Sequence, residues 1–115
     1  MLLKCRCLHP STILPAYGTY DNVGLDLYLP RKHFLGPYGR GEWGTGLAME
    51  IPEGHVGIVV ERFSVNATGV HVSGTVTSDH RGEVVLVVTN RTSTDHIFLD
   101  GHRIAQFLVV PCPRF

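Results

Sequence analysis

The sequence predicts an all-β fold: a sandwich, a jelly roll or a small barrel. Three observations carry that expectation. No window sustains a helical period. Several windows instead alternate apolar and polar residues or run in short β-branched stretches. Glycine and proline, 13 and 7 of 115 residues, are spread along the chain and cut it into short pieces. Many short strands joined by turns give this pattern. The length suits one domain, residues 1–115, and the 43% hydrophobic content suffices for one core.

Strands are expected near residues 2–8, 25–29, 46–51, 55–61, 70–72, 84–89, 96–99 and 103–110. The breakers between them are "GPYGRGEWG", "PEG", "NATG", "SDHRG" and "DG". Pro52-Glu53-Gly54 reads as a tight turn, with Pro at its first central position and Gly where positive φ is needed. The strands on either side would then form a hairpin. Residues 84–89, opened by Arg81-Gly82-Glu83, read as a buried strand. Cys5-x-Cys7 alternates along a strand, placing two small apolar side chains on one face.

Composition narrows the function classes. Ten basic and ten acidic residues balance, so neither nucleic acid nor an acidic membrane is a default partner. Seven histidines would turn the molecule cationic below about pH 6.5. The start, "MLLKCRCLHP", is interrupted by Lys4 and Arg6 and does not read as a signal peptide. No stretch approaches the roughly 20 apolar residues of a membrane span. A cytoplasmic or nuclear protein, not a secreted one, is expected. The sequon matches at Asn66 and Asn90 then read as chance. Three cysteines are too few and too oddly spaced for a disulfide framework or a zinc site. His55, His71, His80, His96 and His102 fit no metal spacing and read as surface or hairpin residues. Trp43, in "RGEWGTG", is either a loop aromatic tucked against the sheet or a partner-binding anchor.

Four segments, in order, resemble the motifs of the trimeric dUTPases. "NVGLDLYLP" is similar to the first motif, Ala-Gly-x-Asp-Leu. "TGLAMEIPEGHVGIVVERFS" resembles the Pro-x-Gly turn and the second, Arg-Ser-Gly or Arg-Ser-Ser. "SGTVTSDHRGEVVLVVTN" resembles the third, Gly-Val-Ile-Asp-x-x-Tyr-Arg-Gly-Glu. "GHRIAQFLVVP" resembles the fourth, Gly-x-Arg-x-Ala-Gln. The resemblance covers nearly the whole chain. It implies a dUTPase-type jelly roll, a β-barrel-like sandwich, assembled as a homotrimer with sites where subunits meet.

The resemblance also implies roles. Asp26 takes the place of the Asp that holds magnesium–triphosphate through water, work that suits a hard oxygen ligand. The alternative is a structural Asp26 that caps a turn. Arg62 and Gln106 take phosphate-contacting places, or else are buried polar residues satisfied within a trimer axis or a hairpin, and Ser64 matches the third residue of the second motif and counts with the substrate-binding residues. Phe63 stands where a phosphate-contacting Ser is usual, and a phenyl ring donates no hydrogen bond. Arg103 matches an Arg that looks structural. In the third motif the water-activating Asp falls on Thr77, and the Tyr beneath the deoxyribose falls on His80. Thr is no general base near neutral pH. The loop between Gly69 and Gly74 is about one residue shorter than usual, and a shift of register would bring Asp79 to the catalytic place. The fifth motif is a Gly-rich C-terminal arm that closes over the nucleotide. This chain ends "PCPRF" without a glycine cradle.

Two functions follow. The first is a dUTPase-like module with weak or lost hydrolysis, a pseudoenzyme that binds dUTP, dUMP or a host protein. Its compactness and its "RIAQFLVVPC" ending resemble dUTPase-derived viral proteins, which would place it in a host cell. The second is an active, Mg2+-dependent dUTP diphosphatase releasing dUMP and pyrophosphate. The first reading expects an exposed apolar patch around Trp43 or Phe63. The second expects Asp79 beside Asp26, Arg62 and Gln106.

Overall fold

The computed structural model describes residues 3–16 and 24–113. It is nearly all β, as the composition and turn spacing require. Eleven strands are described: β1 (Lys4–Cys7), β2 (Leu25–Tyr28), β3 (His33–Leu35), β4 (Arg40–Gly44), β5 (Leu47–Glu50), β6 (His55–Glu61), β7 (Val70–Ser73), β8 (Thr75–Val76), β9 (Val85–Asn90), β10 (His96–Phe98) and β11 (Arg103–Pro111). One helical turn, α1 (Phe63–Asn66), follows β6. The strands form four antiparallel sheets, in the orders β1-β5, β10-β3, β2-β11-β6-β8 and β4-β9-β7. Non-consecutive neighbours in every sheet mark a wound, jelly-roll-type topology. Among the described residues, no helix is long and apolar enough to cross a membrane.

The core lies between the sheets. Leu27, Leu47, Leu86, Val70, Val88, Ile104 and Phe107 are fully or almost fully buried. β9 alternates rather than burying both faces: Leu86, Val88 and Asn90 point inward, while Val85 is exposed. Asn90 is buried because its amide is satisfied. It donates to Gly36 O and Thr94 O, both at 2.8 Å, and its Oδ1 accepts from Thr92. On β11, Ile104 and Ala105 are consecutive and both buried. A register shift against β2 between Arg103 and Ala105 accounts for this. The extra residue of a bulge turns two neighbours inward.

Several sequence expectations change. β4 occupies "RGEWG", part of a stretch read as a breaker. Its glycines are there because side chains lie over them. A Cβ on Gly41 would stand 2.5 Å from the Trp43 indole nitrogen, and one on Gly44 would stand 2.5 Å from a Glu83 carboxylate oxygen. Trp43 itself is 5% exposed, stacked on His33 with centroids 4.4 Å apart and edge-on to Phe98. It is a core residue, which corrects the partner-anchor alternative. The Pro-Glu-Gly turn exists, but its hydrogen bond runs from His55 N to Pro52 O at 3.1 Å. Pro52 is thus the first of the four turn residues, with Gly54 at φ +78° in the position that needs it. The strands flanking this turn do not form a hairpin: β5 pairs with β1, and β6 with β11 and β8. β3, β8 and α1 are too short to announce themselves. Cys5 packs partly against the core, while Cys7 is exposed.

Candidate active site

The central strand β11 sets the site by register. Gln106 lies opposite Asp26 on β2 and opposite Val60 on β6. Two residues past Val60 the chain leaves β6 at Arg62, the residue that caps α1. Asp26, Gln106 and Arg62 therefore share one end of the four-stranded sheet. The bulge at Ile104 sends Arg103 to the same end.

Asp26 sits within its strand and caps no turn. It is 1% exposed, and its Oδ2 accepts a hydrogen bond from Arg103 Nη1 at 3.2 Å. Its other oxygen, Oδ1, is buried with no partner among the described residues. A buried carboxylate oxygen left unpaired is costly unless something beyond the described residues satisfies it. Arg62 donates from Nη1 to the Arg103 carbonyl at 3.1 Å, which fixes one edge of its guanidinium and leaves further donors. Gln106 is half-buried, and its side-chain amide has no hydrogen-bond partner among the described residues. Ser64 is exposed on α1. His102 borders this end, and its pKa is lowered first by burial and then by Arg62 and Arg103. Arg62 and Arg103 together make this end locally positive, which suits an anion.

The third-motif turn lies elsewhere, and it is no hairpin: β8 and β9 on either side of it belong to different sheets. β8 pairs with β6 through Val76 opposite Gly57, and the turn closes from His80 N to Thr77 O at 3.1 Å. Thr77 donates its hydroxyl to Asp79 Oδ1 at 2.5 Å. That bond above all holds the Asp79 carboxyl below its usual range, helped by a backbone N–H, Arg81 and His80. Asp79 is exposed at the tip. His80 Nε2 lies 3.1 Å from the Glu83 carbonyl, which only accepts, so Nε2 carries the proton. Three strand spacings and a three-residue offset along β6 separate Val76 from Asp26. The tip is therefore on the order of 20 Å from Asp26 within one chain. The structure brings together Asp26, Arg62 and Gln106, with Ser64 close by in sequence. It does not bring Asp79 or His80 to them.

Comparison with known proteins decides the family. The dUTPase family model matches residues 11–114. The chain belongs to the dUTPase family. It is 37% identical to the deoxyuridine 5'-triphosphate nucleotidohydrolase of Anaplasma marginale (strain St. Maries), across 88% of this chain and 73% of that one. It is 40% identical to that of Anaeromyxobacter sp. (strain Fw109-5), across 91% and 74%. The fold matches Staphylococcus bacteriophage 80alpha dUTPase with a TM-score of 0.91 at 19% identity, covering 99% of this chain and 94% of the phage protein. The phage phi11 dUTPase, with the same TM-score and identity, is described as coordinating a structural Mg(II) ion. It covers 100% of this chain and 95% of its own.

For this dUTPase family member, the fit of magnesium can be judged from Asp26. One hard oxygen without a partner among the described residues suits a cation that keeps most of its waters and binds chiefly through substrate phosphates. Among the described residues, no group of three or more acidic, His or Cys side chains would hold a metal without phosphate oxygens. Arg103, read from the sequence as structural, pairs with the buried Asp26, which is consistent with that role. Sequence reasoning passed over Glu61 entirely. The available signal was a carboxylate placed directly before Arg62 at the end of an apolar strand.

Proposed function

We propose that the protein hydrolyses dUTP to dUMP and pyrophosphate with magnesium, as a homotrimer in the cytoplasm or nucleus. One observation carries this reading: Asp26 has a buried oxygen without a partner among the described residues, at the same sheet end as Arg62 and Gln106. The relatives named as nucleotidohydrolases support hydrolysis over its loss. Arg62, Ser64 and Gln106 would hold the triphosphate oxygens. Bound magnesium would neutralise charge on those oxygens. Because Asp79 lies far from Asp26 in its own chain, the complete site would take its Asp79 turn from a second copy. Asp79, ionised and exposed, would accept a proton from the water that attacks the α-phosphate, with pyrophosphate leaving. Thr77 would orient it through their hydrogen bond. His80 would lie near the deoxyribose.

A second reading, nucleotide or partner binding without efficient turnover, is favoured by Thr77 in the family's carboxylate place. A protein partner would then meet Phe34, Ile97 and Leu99, each at least 60% exposed. Phe34 and Ile97 are cross-strand neighbours. Phe63, 87% exposed, stands beside Arg62, whereas Trp43 is buried and unavailable.

Pyrophosphate release from dUTP with magnesium separates the readings. Under the first, the wild-type chain turns over, Asp26→Ala abolishes turnover, and Asp79→Asn lowers it by about 10²–10⁴-fold. If the wild type binds without turnover and Thr77→Asp creates turnover, the second reading replaces the first.

A further inference from the structure

α1 is one turn long and carries Ser64, with Arg62 as its N-cap. A helix this short does not persist unaided. Its cap contributes no side-chain bond to the first turn. Side-chain ties hold it in place, among them Asn66 Nδ2 at 3.4 Å from His71 Nδ1 on β7. Val65, 3% exposed, sinks into the core. Asn66 Nδ2 donates to Glu61 Oε2 at 2.8 Å. The other Glu61 oxygen accepts from the Val72 backbone N–H at 2.6 Å and lies 3.2 Å from His71 Nδ1. A single carboxylate, half-buried at the end of β6, thus joins α1 to β7 across the base of the turn that presents Arg62 and Ser64. Charge-assisted bonds of this length are the stronger kind.

We propose that Glu61 is a positioning residue for phosphate binding. It holds α1 against β7, so that Arg62 and Ser64 meet the triphosphate already ordered. The inference rests on the nucleotide reading of Arg62 and Ser64. Without Glu61 the turn would be ordered by the ligand, at a cost to affinity. Glu61→Gln keeps an oxygen for Val72, and Asn66 can rotate its amide to accept from the new NH2. That variant separates geometry from charge.

The test uses the full chain with magnesium and a non-hydrolysable dUTP analogue. Calorimetry gives affinity, and amide hydrogen exchange at residues 63–67 is read without nucleotide. Glu61→Ala is expected to speed that exchange and to weaken binding about tenfold, with Glu61→Gln restoring both. Where dUTP is turned over, KM should rise more than kcat falls. Faster exchange with wild-type affinity would make Glu61 merely structural and overturn the inference. If the wild-type chain does not bind the analogue, the nucleotide reading falls and takes the inference with it. Should Glu61→Ala fail to fold, Asn66→Ala removes the ties from α1 to Glu61 and to His71 and leaves Glu61 bonded to Val72. Unchanged affinity in that variant would also overturn the inference.

Discussion

Asp26 and Arg103 form an unequal pair. The carboxylate is 1% exposed, whereas the arginine side chain is 43% exposed. Removing the arginine strands a buried charge, and removing the charge leaves an arginine that can still reach water. Arg103→Ala is therefore expected to cost about 3 kcal/mol of stability, and Asp26→Asn about 1 kcal/mol. Urea unfolding of both variants checks the order, and a larger loss for Asp26→Asn would contradict it. That Asp26, Arg62 and Gln106 would lie at one end of one sheet was legible in the sequence, because motif spacing survives in strand register. The bond from Thr77 to Asp79 was not, because no spacing rule says where a hydroxyl two residues away will point.

The strands were legible wherever apolar residues alternate: β6 matches its expected bounds, and β11 ends one residue past its own. β4 was hidden because its glycines, which read as turn signals, make room for the Trp43 ring and the Glu83 carboxylate. Long-range packing of this kind leaves no local trace. The same contrast separates two other glycines. At Gly57 on β6, an added Cβ would lie 2.2 Å from the Phe107 ring, while at Gly54 it would meet nothing within 4 Å. Gly57→Ala is expected to cost about 1–3 kcal/mol through overpacking, and to disturb the sheet that carries Gln106. Gly54→Ala bears only the strain of a positive φ, about 1 kcal/mol. Thermal melts of the two variants should rank in that order, and a milder effect at Gly57 would mean that Phe107 has room to move.

Across the fold, two histidines tie stability to acidity. His33 has its pKa lowered first by burial and then by Arg31, and His102 first by burial and then by the arginines beside it. Both folded-state values lie below the unfolded value of about 6.5. As pH falls through 6.5, the unfolded chain takes up protons that the folded chain resists, so stability is full above that value and declines toward the lowered pKa values. The urea midpoint should drop between about pH 7.5 and about pH 5.5, and His33→Phe, which keeps a ring against Trp43, should flatten the slope. An unchanged midpoint would show that these rings titrate freely.

The roughly 20 Å between Asp26 and the Asp79 turn also bears on inheritance. If each site draws the two from different copies, a chain damaged at Asp26 and a chain damaged at Asp79 can rescue each other. In randomly mixed trimers roughly a quarter of the sites would pair two sound halves. Two null alleles in one cell would then behave as a partially active pair.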